Sequence, residues 1–189
     1  MKLIHLFSVL LGLFLTLSGL YGQEECFYSA PFSSGVMDAE YTTGSSKVFC
    51  EIHFDNYGER YSVDLKHKKE DPKVFKSIIR KEGYLYYILH DKKQVLKIPV
   101  KERSMPFDSS LLQLISDTTF IGYNSNYYVN PTDSVEAIYY NDLLLYMHDL
   151  KNSLIYEVTS VDEDEMFPEF VFFLPRGFSI REMNYNFSK

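Results

Sequence analysis

Val48-Phe49-Cys50-Glu51-Ile52-His53-Phe54-Asp55-Asn56-Tyr57-Gly58-Glu59-Arg60-Tyr61-Ser62-Val63-Asp64-Leu65 is the stretch that decides the fold. Val48, Cys50, Ile52 and Phe54 fall on one face of an extended chain. Phe49, Glu51 and His53 fall on the other. Period-two alternation over this length is the mark of a strand with one face buried. Asp55 to Gly58 then reads as a tight turn, because Gly58 takes positive φ without a steric penalty. Tyr61, Val63 and Leu65 return against Arg60, Ser62 and Asp64. Two antiparallel strands result, with their apolar residues on the same side.

The same rhythm extends outward in both directions. Upstream, Met37, Ala39 and Tyr41 alternate with Val36, Asp38 and Glu40, which adds a strand in front. Downstream, Val74 to Arg80, Gly83 to Leu89 and Val95 to Val100 read as strands between charged turns. Pro99 suits a strand end or an edge, since it cannot donate to a ladder. Thr119 to Tyr123, Tyr127 to Val129, Val135 to Tyr140, Leu143 to His148 and Ser153 to Val161 continue the series. Helix formers in 135–150 permit a helix there, but Tyr139 to Asp142 favours a hairpin. One helix is predicted, capped by Asp108 and with Leu111, Leu112, Leu114 and Ile115 as its apolar face. Two and a half turns do not persist alone, so it is expected to dock over the sheet. Pro168, Pro175 and Gly177 make the tail from Phe167 to Phe178 an extended, docked segment.

These elements predict a mainly β (α+β) domain: a strongly curled antiparallel sheet, or open β-barrel, with short helices covering the concave face. The chain has 16 Tyr and 15 Phe but no Trp, a supply large enough to line such a face with aromatic rings.

The N-terminus sets the compartment. Lys2 precedes an apolar run from Leu6 to Leu17, and Ser18-Gly19-Leu20-Tyr21-Gly22 follows. This is the build of a secretory signal peptide over residues 1–22, leaving one domain over residues 23–189. An uncleaved anchor is the alternative, although the run is short beside the roughly 20 residues of a membrane span. Leu17-Ser18-Gly19 leads to Leu20 where a lipoprotein would carry its Cys, so the expected product is soluble, periplasmic or extracellular, with no stable membrane span. In an oxidising compartment Cys26 and Cys50 could form one bridge. Cys50 equally suits a buried thiol beside Ile52 and Phe54.

Several functions are disfavoured by composition and pattern. A net charge of -7 argues against a nucleic-acid partner. No nucleophile elbow, phosphate-cradling loop or dinucleotide fingerprint is present, and no cofactor is expected. His53 and His148 sit in strand candidates without metal-ligand spacing. Asp162 to Glu165 lacks the alternation of a Ca²⁺ loop and reads as a solvated acidic run.

The order of pieces resembles a known group. An export signal leads to an opening strand and to Ile52-His53-Phe54-Asp55-Asn56-Tyr57-Gly58. Gly83-Tyr84-Leu85-Tyr86-Tyr87 and Lys97-Ile98-Pro99 come next, and Phe173-Leu174-Pro175-Arg176-Gly177-Phe178 comes last. This is similar to small secreted proteins, largely of unknown function, that resemble the lipoprotein-carrier (LolA/LppX-like) group. The resemblance implies a curled sheet closed by helices on its concave side, and binding of acyl chains or lipoproteins. It assigns no functional residue.

The expectation is therefore an exported, non-enzymatic binding protein whose concave face holds a lipid, lipoprotein acyl chain or hydrophobic peptide. Tyr84, Tyr86, Ile88, Leu96 and Ile98 are the candidate lining, with Leu111, Leu112 and Ile115 as the cover; the opposite face of the same strand, Leu85, Tyr87 and Leu89, is equally apolar, so the choice of face is a guess. The alternative is a structural or interaction module of the cell envelope with a packed core and no small ligand. Its exposed edge strand would recruit an envelope protein.

Overall fold

The computed structural model describes residues 30–100, 111–132 and 134–183. The expected signal peptide, Cys26 and the Asp108 cap lie outside the described residues.

Among the described residues, twelve strands form a single sheet. The first six are β1 (Ser34–Thr43), β2 (Ser46–Asp55), β3 (Arg60–Lys66), β4 (Val74–Lys81), β5 (Tyr84–Leu89) and β6 (Gln94–Pro99). The remainder are β7 (Gln113–Phe120), β8 (Tyr123–Asn130), β9 (Val135–Tyr140), β10 (Leu143–Asp149), β11 (Leu154–Glu163) and β12 (Ser179–Glu182). Spatially they run β12-β6-β5-β4-β3-β2-β1-β11-β10-β9-β8-β7. Two antiparallel meanders, β1–β6 and β7–β11, are thus joined where β1 pairs with β11. The tail adds β12 in parallel to β6.

Chain connectivity favours a curled sheet over a flat one. Residues 100–112 join β6 to β7, which stand near opposite ends of the sheet. Laid flat, the ten strand spacings between them would measure about 48 Å. The fully stretched connection reaches about the same distance, so a flat sheet would need it drawn taut across the full width. Twist between neighbouring strands supplies the curl.

Register decides which residues face inward. Met37 stands opposite Ile52, and Ile52 opposite Val63. Val63 stands opposite Ile78, and Ile78 opposite Tyr87. All five are buried, and one apolar cluster runs on through Val158, Tyr156, Met147 and Ala137. The opposite, outer face carries Asp38, Glu51, Asp64 and Ser77 in one cross-strand row. The alternation legible in 48–65 is this division between core and solvent.

Local geometry holds the two meanders in place. The 55–58 turn is tighter than expected, with Asn56, Tyr57 and Gly58 all at positive φ. It is tied down where the Tyr57 N–H donates to Ser33 O at 3.2 Å and Ala30 N–H donates to Tyr57 O at 2.9 Å. At the β1–β11 junction, Gly35 has no room for a side chain. A Cβ there would stand 2.7 Å from the Phe54 ring and 2.8 Å from the Asp162 carbonyl oxygen.

The predicted helix is corrected in part. From Gln113 onward the chain is strand β7, and Leu114 and Ile115 are exposed on it. Leu111, Leu112, Leu114 and Ile115 match helical spacing, but Ser116 to Phe120 pair with β8, and tertiary pairing overrides the local pattern. The 135–150 segment is the expected hairpin, β9–β10. The tail makes a short 3-10 turn at Glu169–Phe172 and then β12, a strand too short and too exposed to show in the pattern.

Candidate functional site

Two surfaces of the sheet carry features beyond an ordinary core. The first is the inner face at β4–β6, toward one end of the sheet. On β5 the inward residues are Leu85, Tyr87 and Leu89, since Leu85 pairs with Arg80, Tyr87 with Ile78 and Leu89 with Lys76. On β6 they are Leu96 and Ile98, opposite Tyr87 and Leu85. Leu96, Ile98, Val100, Leu112 and Tyr128 are only half-buried and border the inner cluster. Among these apolar groups β4 places two cations, Lys76 and Arg80, on the same inward face. The Lys76 ammonium lies 4.9 Å from the centre of the Tyr87 ring, a cation–π distance.

The sequence-predicted lining does not share one face. Leu96 and Ile98 point inward, as expected. Tyr84, Tyr86 and Ile88 point outward, so they and the two β6 residues cannot line one cavity. The reason is that Leu85 to Ile88 is apolar at every position, so alternation has nothing to read, and a one-residue choice flips the whole set. Of the expected cover, Leu112 packs against the inner cluster, while Leu111 and Ile115 are exposed.

The second surface is the outer face of β4–β6. Ile79, Tyr86, Ile88 and Val95 form a separate buried cluster, capped by Phe172 from the tail. Phe167, Val171, Leu174 and Phe178 pack around it. The tail is therefore a strap laid over the outside of the sheet. An apolar tail following an uninterrupted apolar strand was the available signal that β5 is covered on both sides.

Polar contacts fasten this strap. Arg60 binds Asp55 and Glu169 together, and its guanidinium sits 4.2 Å above the Phe172 ring. Hydrogen bonds to Asp55 first and Glu169 second raise the guanidinium's pKa above its ordinary value, against a small burial penalty. The Lys81 ammonium donates to Phe172 O at 3.0 Å, and Lys97 pairs with Glu182 at 2.8 Å. His53 meets Phe167 edge-on at 5.3 Å, and His90 meets Phe178 at 5.9 Å.

A short polar chain runs beneath the His90 contact. Ser77 Oγ donates to Asp64 Oδ1 at 2.5 Å and lies 2.8 Å from His90 Nε2. In a nucleophile–base–acid relay the imidazole stands in the middle. Here the hydroxyl does, with its proton directed at the carboxylate. The arrangement suits a structural link better than an activated serine.

The remaining candidates resolve as structure. His53 and His148 lie on β2 and β10, separated by β1 and β11. In the acidic run, Glu163 accepts from the Tyr123 hydroxyl at 2.6 Å and Asp164 from Ser33 at 3.2 Å. Burial first, and the Glu163 bond second, raise the Tyr123 phenol's pKa above the ordinary tyrosine range. Cys50 is buried on the inner face between Ala39 and Leu65. Among the described residues no helix is long and apolar enough to cross a membrane.

No protein-family model matches this chain, and no curated protein does. Solved structures do. An uncharacterized conserved protein of Thermus thermophilus is similar over 81% of this chain and 92% of its own, at 10% identity and a TM-score of 0.59. MucB, a protein of LolA-like fold, matches 82% of this chain at 13% identity and a TM-score of 0.54. This chain spans 62% of MucB's length. A LolA superfamily protein of Nitrosomonas europaea matches 82% of this chain and 97% of its own, at 10% identity and a TM-score of 0.39. At these identities the likeness is one of fold. The first two structures carry that likeness, and through MucB the fold resembles that of the lipoprotein-carrier group, the expectation that strand order had raised.

Proposed function

We propose that this is an exported, non-enzymatic binding protein that holds a lipophilic group at the inner face of β4–β6. One observation carries the reading: half-buried Leu96, Ile98, Val100, Leu112 and Tyr128 pack against the inner core cluster and leave part of its apolar border accessible. An acyl chain would continue the apolar surface. The LolA-like fold is consistent with carriage of this kind. Export rests on residues 1–22, and an oxidising compartment would permit a Cys26–Cys50 bridge, with a buried Cys50 thiol as its alternative. Intact mass with and without reductant tests both the cleavage and the bridge.

The direct test is native mass spectrometry of protein purified from its own cell envelope, followed by titration with a fluorescent fatty acid. A bound lipid mass and saturable uptake are expected. A clean apo mass with no uptake overturns the proposal.

A second reading has its own support. The centre of the inner face is filled by its own side chains, with Ile52, Phe54, Leu144 and Tyr156 fully buried. A packed module of this kind would act through its bare edge strand β7, recruiting an envelope protein by strand addition. It predicts co-purification of that partner with a lipid-free protein.

A further inference from the structure

Charge is divided unevenly between the two meanders. Residues 34–99, which form β1–β6, carry 10 acidic and 12 basic side chains, a net of +2. Residues 113–163, which form β7–β11, carry 8 acidic side chains and 1 basic one, Lys151, a net of -7. The Lys151 ammonium is itself turned to the Thr132 carbonyl oxygen at 2.8 Å. The second meander is therefore the acidic half of the sheet.

Register places an aromatic row on the outer face of that half. Tyr127 stands opposite Ile138, Ile138 opposite Tyr146, and Tyr146 opposite Glu157. Their neighbours along the strands, Ala137, Met147 and Tyr156, are buried in the inner cluster, so the row itself faces outward. Tyr127, Ile138 and Tyr146 are half-buried and belong to neither apolar cluster. Glu136 shares their face, two residues before Ile138, and accepts from the Tyr127 phenol. Burial first, then the charges of Glu136 and Glu157, raise the Tyr146 phenol's pKa above its ordinary value, so both carboxylates act on this ring. The strap that covers the outer cluster of β4–β6 lies toward the other end of the sheet.

We infer that the outer face of β8–β11, through Tyr127, Tyr146, Glu136 and Glu157, is a docking surface for an extended basic segment of a partner protein. An arginine or lysine side chain would lie against a tyrosine ring and meet a carboxylate with its charged end. Rings alone would accept any apolar group. Rings between carboxylates, on the half of the sheet that carries the negative charge, select a cation. From Tyr127 to Glu157 the row crosses three strand spacings, about 14 Å, which is the reach of about four extended residues. An open face of this length suits a chain segment, whereas a small molecule favours a concave pocket. The inference is independent of a ligand at the inner face, because these side chains point the other way. It also differs from strand addition at β7, because it uses side chains in place of a backbone edge.

Fluorescence anisotropy of the purified protein with a fluorescein-labelled hexa-arginine peptide tests it. Saturable binding at low salt is expected, weakening as salt rises. Y127A/Y146A leaves the net charge unchanged and should weaken binding by about ten-fold. Y127F/Y146F keeps both rings and should bind within about two-fold of the parent. E136Q/E157Q should weaken binding by about ten-fold as well. E70Q/E165Q makes the same change of charge at two exposed positions elsewhere and should bind like the parent. Circular dichroism checks that each variant folds, and the near-isosteric E136Q/E157Q keeps the inference open to refutation if Y127A/Y146A does not. No saturable binding by the parent, full binding by Y127A/Y146A, or equal losses in E136Q/E157Q and E70Q/E165Q would each overturn the inference. A dimer in light scattering that Y127A/Y146A dissociates would also overturn it, by assigning the face to a second copy. Fatty-acid uptake should match the parent in every variant, so failure of the inner-face site and failure of this surface read out separately.

Discussion

Strands β4–β6 and strands β7–β8 occupy opposite ends of one sheet and are solvated in opposite ways. In β5 the burial pattern is nearly unbroken, because the core lies on one side and the strap on the other. In β7 nearly every residue is exposed, and the strand has one neighbour. Both ends were built from the same kind of aromatic-rich, pleated sequence. What separates them is a second layer, supplied by a tail that comes almost last in the chain. Coverage by the strap converts one end into a two-sided core. The other end keeps an open edge, which natural sheets tolerate when it is short and polar.

The largest predicted effect breaks that contrast at the strap. Phe172 is fully buried against Ile79, Tyr86 and Ile88, so Phe172→Ala should cost about 3–5 kcal/mol in urea unfolding. Ile115→Ala on β7 should fall within about 0.5 kcal/mol of the parent. Equal losses at the two sites would mean that the ends are not energetically distinct. Next comes the junction between the two meanders. Gly35→Ala drives a methyl into the Phe54 ring and the Asp162 carbonyl, and should cost about 1–3 kcal/mol by the same measurement.

How much of this was legible in the sequence differs along the same line. Strands β1–β3 follow directly from clean alternation in 36–41 and 48–65. The β9–β10 hairpin follows from the turn at Asn141-Asp142. The face of β5 does not, because Leu85 to Ile88 carries no polar residue to mark the outside. Leu96 and Ile98 lie on the inner face and Tyr84, Tyr86 and Ile88 on the outer one, a division the sequence left to a guess. Leu111 to Ile115 suited a helix by spacing alone, and pairing with β8 made the segment a strand from Gln113 onward.

Two smaller effects sharpen the comparison. Arg60→Ala should loosen the strap by about 1–2 kcal/mol, since it removes partly exposed ion pairs and the contact with Phe172. The loss should shrink at high salt, whereas the Phe172→Ala loss should not. The smallest effect belongs to the other end. Tyr123 holds its proton more tightly in the folded protein than in the unfolded chain. Its contribution is complete below the ordinary tyrosine pKa of about 10 and is lost as pH rises through the folded value. Chemical denaturation at stepped alkaline pH should show stability falling above about pH 10, and more gently in Tyr123→Phe. A decline beginning well below that pH would contradict this assignment.

By itself the sequence determined that the chain is a curled antiparallel sheet, where most strands begin and end, and which face of β1–β3 is buried. These properties follow from short-range physics: side chains alternate with period two, and turns need particular residues. Only the tertiary structure decided that β1 pairs with β11, that β5 is covered on both faces, and that the tail lies outside the sheet. Those outcomes depend on which distant apolar surfaces meet, and a pattern of local alternation does not record its own partner.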